Sequence, residues 1–121
     1  FEQSKIEELI QAFPDYQVPL EGMIRRLQDL MIPFQKGWYY TPEMKGSYSI
    51  KQVLPALVPK LSYKQLNINE GGTASATFAA MANGTFDRDF EQTRKDLLEY
   101  CKMDTYAMVE ILRILRDKVD T

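Results

Sequence analysis

Residues 87–119, DRDFEQTRKDLLEYCKMDTYAMVEILRILRDKV, carry the strongest periodic signal in the chain and decide its fold class. Phe90, Leu97, Leu98, Cys101, Met108, Ile111, Leu112 and Leu115 recur at steps of three and four residues, the spacing that lines one face of a helix with apolar side chains. The pattern fits one long helix, or two in tandem with a break near Met103. At about 100° per residue, Leu97, Cys101, Met108, Ile111 and Leu115 all fall within roughly 60° of Asp104. A carboxylate therefore takes a place where leucine is expected. Ionised, it costs several kcal/mol there unless it is paired, hydrogen-bonded or bound to a cation. Tyr100 lies one turn earlier on the same face. The alternative is that Asp104 caps a second helix starting at Thr105, accepting backbone N–H groups and doing no chemistry.

Outward from this segment the chain changes character. Gly71 to Phe86 holds no charge, and Thr73–Ala82 is Ala-rich, which predicts a helix between Gly71-Gly72 and Asn83-Gly84 or, failing that, a linker. Pro33 to Tyr63 contains Pro33, Pro42, Pro55 and Pro59 with Gly37 and Gly46, a density that breaks long helices. An irregular aromatic loop at about residues 33–48 is expected, then a short helix started by Ser49 and disturbed at Pro55. Five lysines stand against Glu43 alone between Pro33 and Gln65, a local net of +4, so the rest of the chain carries -6 of the total -2. Glu2 to Phe13 reads as an amphipathic helix with Ile6, Leu9, Ile10 and Phe13 on one face. A second helix is expected from about Leu20 to Leu27.

Composition bounds the chemistry. With 121 residues, 45% hydrophobic and 26% charged, the chain has the size and make-up of a single soluble domain or a fragment of one. There is no histidine, which removes Ser-His and Cys-His nucleophile pairs and imidazole metal sites. Cys101 is the only cysteine, so no internal disulfide is possible and a reducing, cytoplasmic setting is expected. No segment has the length of a membrane span and none reads as a signal peptide, so no membrane partner is expected. The opening at Phe1 suggests a piece of a longer protein. Glu2, on the inward face of the first helix, is the natural second acid for Asp104. A shared carboxylate site of that kind suits Mg²⁺ or Mn²⁺, although a Glu in a first helical turn also complements the dipole without any ligand.

Tyr100-Cys101-Lys102-Met103-Asp104 resembles the Tyr-x-x-x-Asp third motif of the DEDD superfamily of 3′–5′ exonucleases, tyrosine subclass. Phe1-Glu2 resembles the end of the second motif, with Glu in place of Asp. Gly46-Ser47-Tyr48-Ser49-Ile50-Lys51 is similar to the helix start such nucleases place between the two. More closely, nearly the whole chain resembles the C-terminal part of a prokaryotic family known only as a domain of unknown function. The marks are Asp29-Leu30-Met31 with Pro33-Phe34, then Met44 to Lys51 running into Val53 to Pro59. Gly71 to Ala76 and Leu98 to Met108 complete them.

The resemblance implies metal-assisted phosphodiester hydrolysis, with Asp104 and Glu2 as ligands of Mg²⁺ or Mn²⁺ and Tyr100 orienting the attacking water or helping to deprotonate it. It implies a mainly α chain of four to six helices and little strand, the C-terminal portion of an α/β RNase H-like fold. The first-motif acids are absent, so the chain alone is expected to be inactive. Nucleic acid is the expected partner, met by Lys36, Trp38, Tyr39, Tyr40 and Lys45 of the aromatic loop. The N-terminal part of the same protein, or a second copy, would cover an exposed apolar flank. Two further readings remain: a non-catalytic binding or scaffold module derived from that fold, and a plain helical interaction domain.

Overall fold

The computed structural model describes residues 1–121. Its spine is one unbroken helix, Phe90–Val119, of 30 residues and about 45 Å long at 1.5 Å per residue. Asp89 caps it, its carboxylate accepting from the Gln92 N–H at 3.0 Å, and Arg116 and Lys118 sit in the last turn, where cations favour the dipole. There is no break at Met103. Asp104 is therefore in mid-helix, and its capping assignment is excluded.

Five shorter helices precede the spine: α1 (Glu2–Ala12), α2 (Gln17–Arg26), α3 (Ile32–Gln35), α4 (Ile50–Leu57) and α5 (Gly71–Ala82), so the spine is α6. Single 3-10 turns lie at Pro14–Tyr16, Pro42–Met44 and Tyr63–Gln65, and there is no strand. The mainly α expectation holds. Proline decides several boundaries. Pro14 closes α1, and Pro33 sits in the first turn of α3, where its missing N–H costs nothing. Pro55 falls inside α4, which ends two residues later at Leu57. Ser49 precedes α4 in extended conformation as expected, but its side chain makes no capping hydrogen bond.

The core forms where α4 packs on α6. Val53 and Leu54 from α4 meet Ala107 and Ile111 from α6, and Phe34, Met44 and Tyr63 close around them. Ala107 is fully buried. A methyl-sized side chain there lets the two helices approach closely. The buried line of α6 runs through Tyr100, Met103, Ala107 and Ile111, whereas Cys101 and Met108 are exposed. The stripe is thus turned away from the Cys101–Met108 side, and Asp104 lies on its flank, half-buried.

Residues 33–48 are not a free loop. Phe34 and Met44 are core residues, and Tyr39 packs edge-on against Phe34 with ring centroids 6.2 Å apart. Elsewhere the packing is thin. The hairpin of α1 and α2 packs mainly on itself, with Ile6 its one buried residue. Leu9, Phe13, Tyr16, Val18 and Met23 are exposed. α5 rests on α6 and buries no residue. Only nine residues are buried, and the accessible surface is 9114 Å², against roughly 6,700 Å² for a typical folded monomer of this mass. No helix is long and apolar enough to cross a membrane.

This distribution makes a direct prediction for stability. Leu54→Ala should cost about 2–5 kcal/mol and Ala107→Leu about 1–3 kcal/mol through overpacking, whereas exposed Val18→Ala should stay within about 0.5 kcal/mol. Urea denaturation followed by circular dichroism reads all three. Equal costs for Leu54→Ala and Val18→Ala would contradict the core described.

Candidate functional site

Asp104 is positioned by α6 and met from across the fold by the 3-10 turn Tyr63–Gln65. The Tyr63 hydroxyl donates to Asp104 Oδ1 at 2.5 Å, a charge-assisted bond of the short, strong kind. Tyr63 is buried, so its phenol needs a partner and the carboxylate supplies one. Tyr100, one turn before Asp104, turns its ring toward Tyr63, with centroids 6.0 Å apart and planes inclined by 58°. Gly71 opens α5 over this point: a Cβ there would stand 3.4 Å from the Tyr100 hydroxyl. Two phenols and a carboxylate thus share one half-buried place, and no Lys or Arg forms an ion pair with Asp104.

The electrostatics follow from that arrangement. Burial and then the Asp104 carboxylate push the Tyr63 phenol far above its ordinary value. Tyr100 is raised as well, by burial first and by the Asp104 charge next. Both phenols are neutral hydrogen-bond donors around neutral pH, not bases.

The other residues singled out in the sequence lie elsewhere. Glu2 is exposed in the first turn of α1, 3.9 Å from the terminal amine, and makes no hydrogen bond or ion pair with the residues around Asp104. No group of three or more Asp, Glu or Cys side chains is gathered to hold a metal ion. One carboxylate flanked by phenols is oxygen chemistry of the sort Mg²⁺ accepts, but it is less than a complete ligand set.

In the aromatic segment, Lys36 Nζ stands 5.2 Å over the Trp38 ring, which is itself exposed. The Tyr40 hydroxyl accepts from the Gly46 N–H at 3.2 Å. Tyr39 is committed to Phe34. Trp38, Tyr40 and Tyr48 are the rings left open to solvent. Lys45 points into a different neighbourhood, beside Lys51 and Lys64.

Comparison with known proteins agrees with the domain-family likeness. A family described as a domain of unknown function (DUF2779) matches residues 1–49. An uncharacterized protein, UU173, of Ureaplasma parvum serovar 3 is 28% identical over 137 aligned residues, covering 99% of this chain and 20% of its own length. An uncharacterized MG366 homolog of Mycoplasma pneumoniae is 27% identical over 129, covering 97% of this chain and 19% of its own length. The chain therefore spans about a fifth of the length of the curated relatives it matches. No solved structure matches it. These likenesses support an uncharacterised prokaryotic domain family and carry no activity with them.

Sequence reasoning missed Tyr63, the residue that satisfies Asp104. The signal was indirect: a carboxylate on an apolar helix face demands a donor, and an aromatic segment rich in phenols was the place to look.

The phenols also set a pH dependence. Their folded-state values are raised, so the stability they contribute is intact below the unfolded value of 10.0 and is lost as pH rises beyond it. Stability should hold from neutral pH to about pH 10 and fall above it. Tyr63→Phe should cost about 1–3 kcal/mol at neutral pH, because it strips a hydrogen bond from a half-buried carboxylate, and should flatten the alkaline fall. Urea midpoints across that range check both. An alkaline limb unchanged in Tyr63→Phe would contradict the assignment.

Proposed function

We propose that the chain is the helical C-terminal portion of a nuclease-like protein with an RNase H-like fold. In this reading it lends Asp104 and Tyr100 to a phosphodiester-hydrolysing site whose other acids lie on segments outside the chain. The observation that carries the reading is the Asp104 carboxylate itself. It is half-buried in mid-helix, held by a phenol, without a cationic partner and without a capping role. Tyr100 stands one turn before it, in the spacing of the Tyr-x-x-x-Asp motif. The missing acids would complete a cation site that one carboxylate cannot make. Divalent cations, once held there, would supply charge stabilisation for attacking and leaving oxygens. Asp104 would present its free oxygen, and Tyr100 would orient a water by hydrogen bonding.

The open apolar faces of α1 and α2 support the same reading, as surface for the rest of such a fold or a second copy to cover. The exposure of Glu2, which bonds to none of the residues around Asp104, favours the second reading: a binding or scaffold module that keeps the helices and lacks the catalytic set.

The test is release of nucleotides from a 3′-labelled single strand with Mn²⁺ present. The complete polypeptide carrying this chain should release them, the 121-residue chain alone should not, and Asp104→Asn should slow release by at least about 100-fold through loss of a ligand. No release by the complete polypeptide, or full activity in Asp104→Asn, would leave the scaffold reading in its place.

A further inference from the structure

A second polar place lies outside the Asp104 cluster. The Pro42–Met44 turn, α4 and the residues around the Tyr63–Gln65 turn enclose an open depression of about 200 Å³. Lys45, Lys51 and Lys64 line it from three separate elements, with Ser62 and Gln52 between them and Glu43 as the one acid. In a chain of net charge -2, three lysines line one small concavity. Lys45 and Lys64 have no ion-pair partner, and Lys51 reaches only the exposed Glu70, at 3.9 Å.

The backbone fixes where two of the three lysines leave the chain. Lys45 is the one non-glycine residue with positive φ, at 53°, and Gly46 follows at 74°. A lysine in the left-handed region costs of order 1 kcal/mol, so the side chain that the turn presents there is not the one the turn prefers. The Ser62 hydroxyl accepts from the Lys64 N–H at 3.2 Å, tying the third lysine's backbone to the hydroxyl of the same site.

We infer that this depression binds a phosphoryl group, either free or in the phosphodiester backbone of a strand. Like charges brought together repel unless an anion lies between them. Three mobile ammonium groups, a hydroxyl and an amide suit a compact, multiply charged oxyanion with many acceptors, which lysines meet as point charges. The site does not rest on the nuclease reading, since none of its groups is Asp104 or Tyr100.

Titration of the 121-residue chain with pyrophosphate and, separately, with a single-stranded oligonucleotide, followed by amide chemical shifts, tests it. The amides of Lys45, Ser62 and Lys64 should shift and saturate. Lys45→Gly, Lys51→Gln and Lys64→Gln should each weaken binding about two- to fivefold, as exposed ion pairs do, and the triple variant about tenfold or more. Lys45→Gly relieves the left-handed backbone, so its thermal midpoint should be unchanged or raised, which separates lost binding from lost folding. Pyrophosphate binding without strand binding identifies a free phosphoryl ligand. Strand binding whose logarithmic salt slope drops by about 0.7 per lysine removed identifies a backbone phosphate. Absence of shifts at these amides with both probes, or affinities indifferent to all three substitutions, overturns the site.

Discussion

The contact of α4 with α6 at Ala107 is the constraint on which the other elements depend. A single methyl group at that position lets Val53 and Leu54 press against the long helix, and Ile111 seals the next turn. Phe34 and Met44 are then drawn in from a segment that has no regular structure of its own, because their burial against this pair is worth more than the chain entropy it costs to order them. The Tyr63–Gln65 turn is held down the same way. Without the α4–α6 contact nothing would bring Tyr63 to Asp104, 41 residues apart in sequence.

That dependence explains an uneven molecule. Packing is dense along one side of α6 and sparse elsewhere, with α1 and α2 forming a hairpin that buries only Ile6. A 30-residue helix is far longer than the patch of core it supports. Most of its length is carried by its own hydrogen bonds and by charge pairs such as Arg113 with Glu110 and Asp117, worth a few tenths of a kcal/mol each. Surface well above the norm for the mass is the direct consequence.

Helix positions were legible because they rest on local periodicity and on proline and glycine. The spine, α1, α5 and the start of α4 after Ser49 all follow from that. What could not be read was long-range. The apolar stripe of α6 looked centred near Asp104 because Cys101 and Met108 were counted as core. The structure turns the buried line toward Ala107, which periodicity undervalues because alanine is small. Phe34 and Met44 were hidden for the opposite reason: a proline-rich segment shows no period even when its side chains are fully buried. Of the site, Asp104 and Tyr100 were visible as a pair on one helix face. Tyr63 was not, since nothing local marks a partner delivered by a single turn.

That single turn also explains how two polar places coexist so close together. A 3-10 turn advances about 120° per residue, so neighbours in sequence point apart. Tyr63 is turned inward to the carboxylate, while Ser62 and Lys64 on either side line the lysine depression. The inward place is negative and half-buried, and its phenols stay protonated. The outward place is positive and open. Lys51 and Glu70 stand between them, the lysine lining the depression and the glutamate adding to the negative potential felt by Tyr100. Charges this near are only partly screened at physiological salt, where the Debye length is about 8 Å.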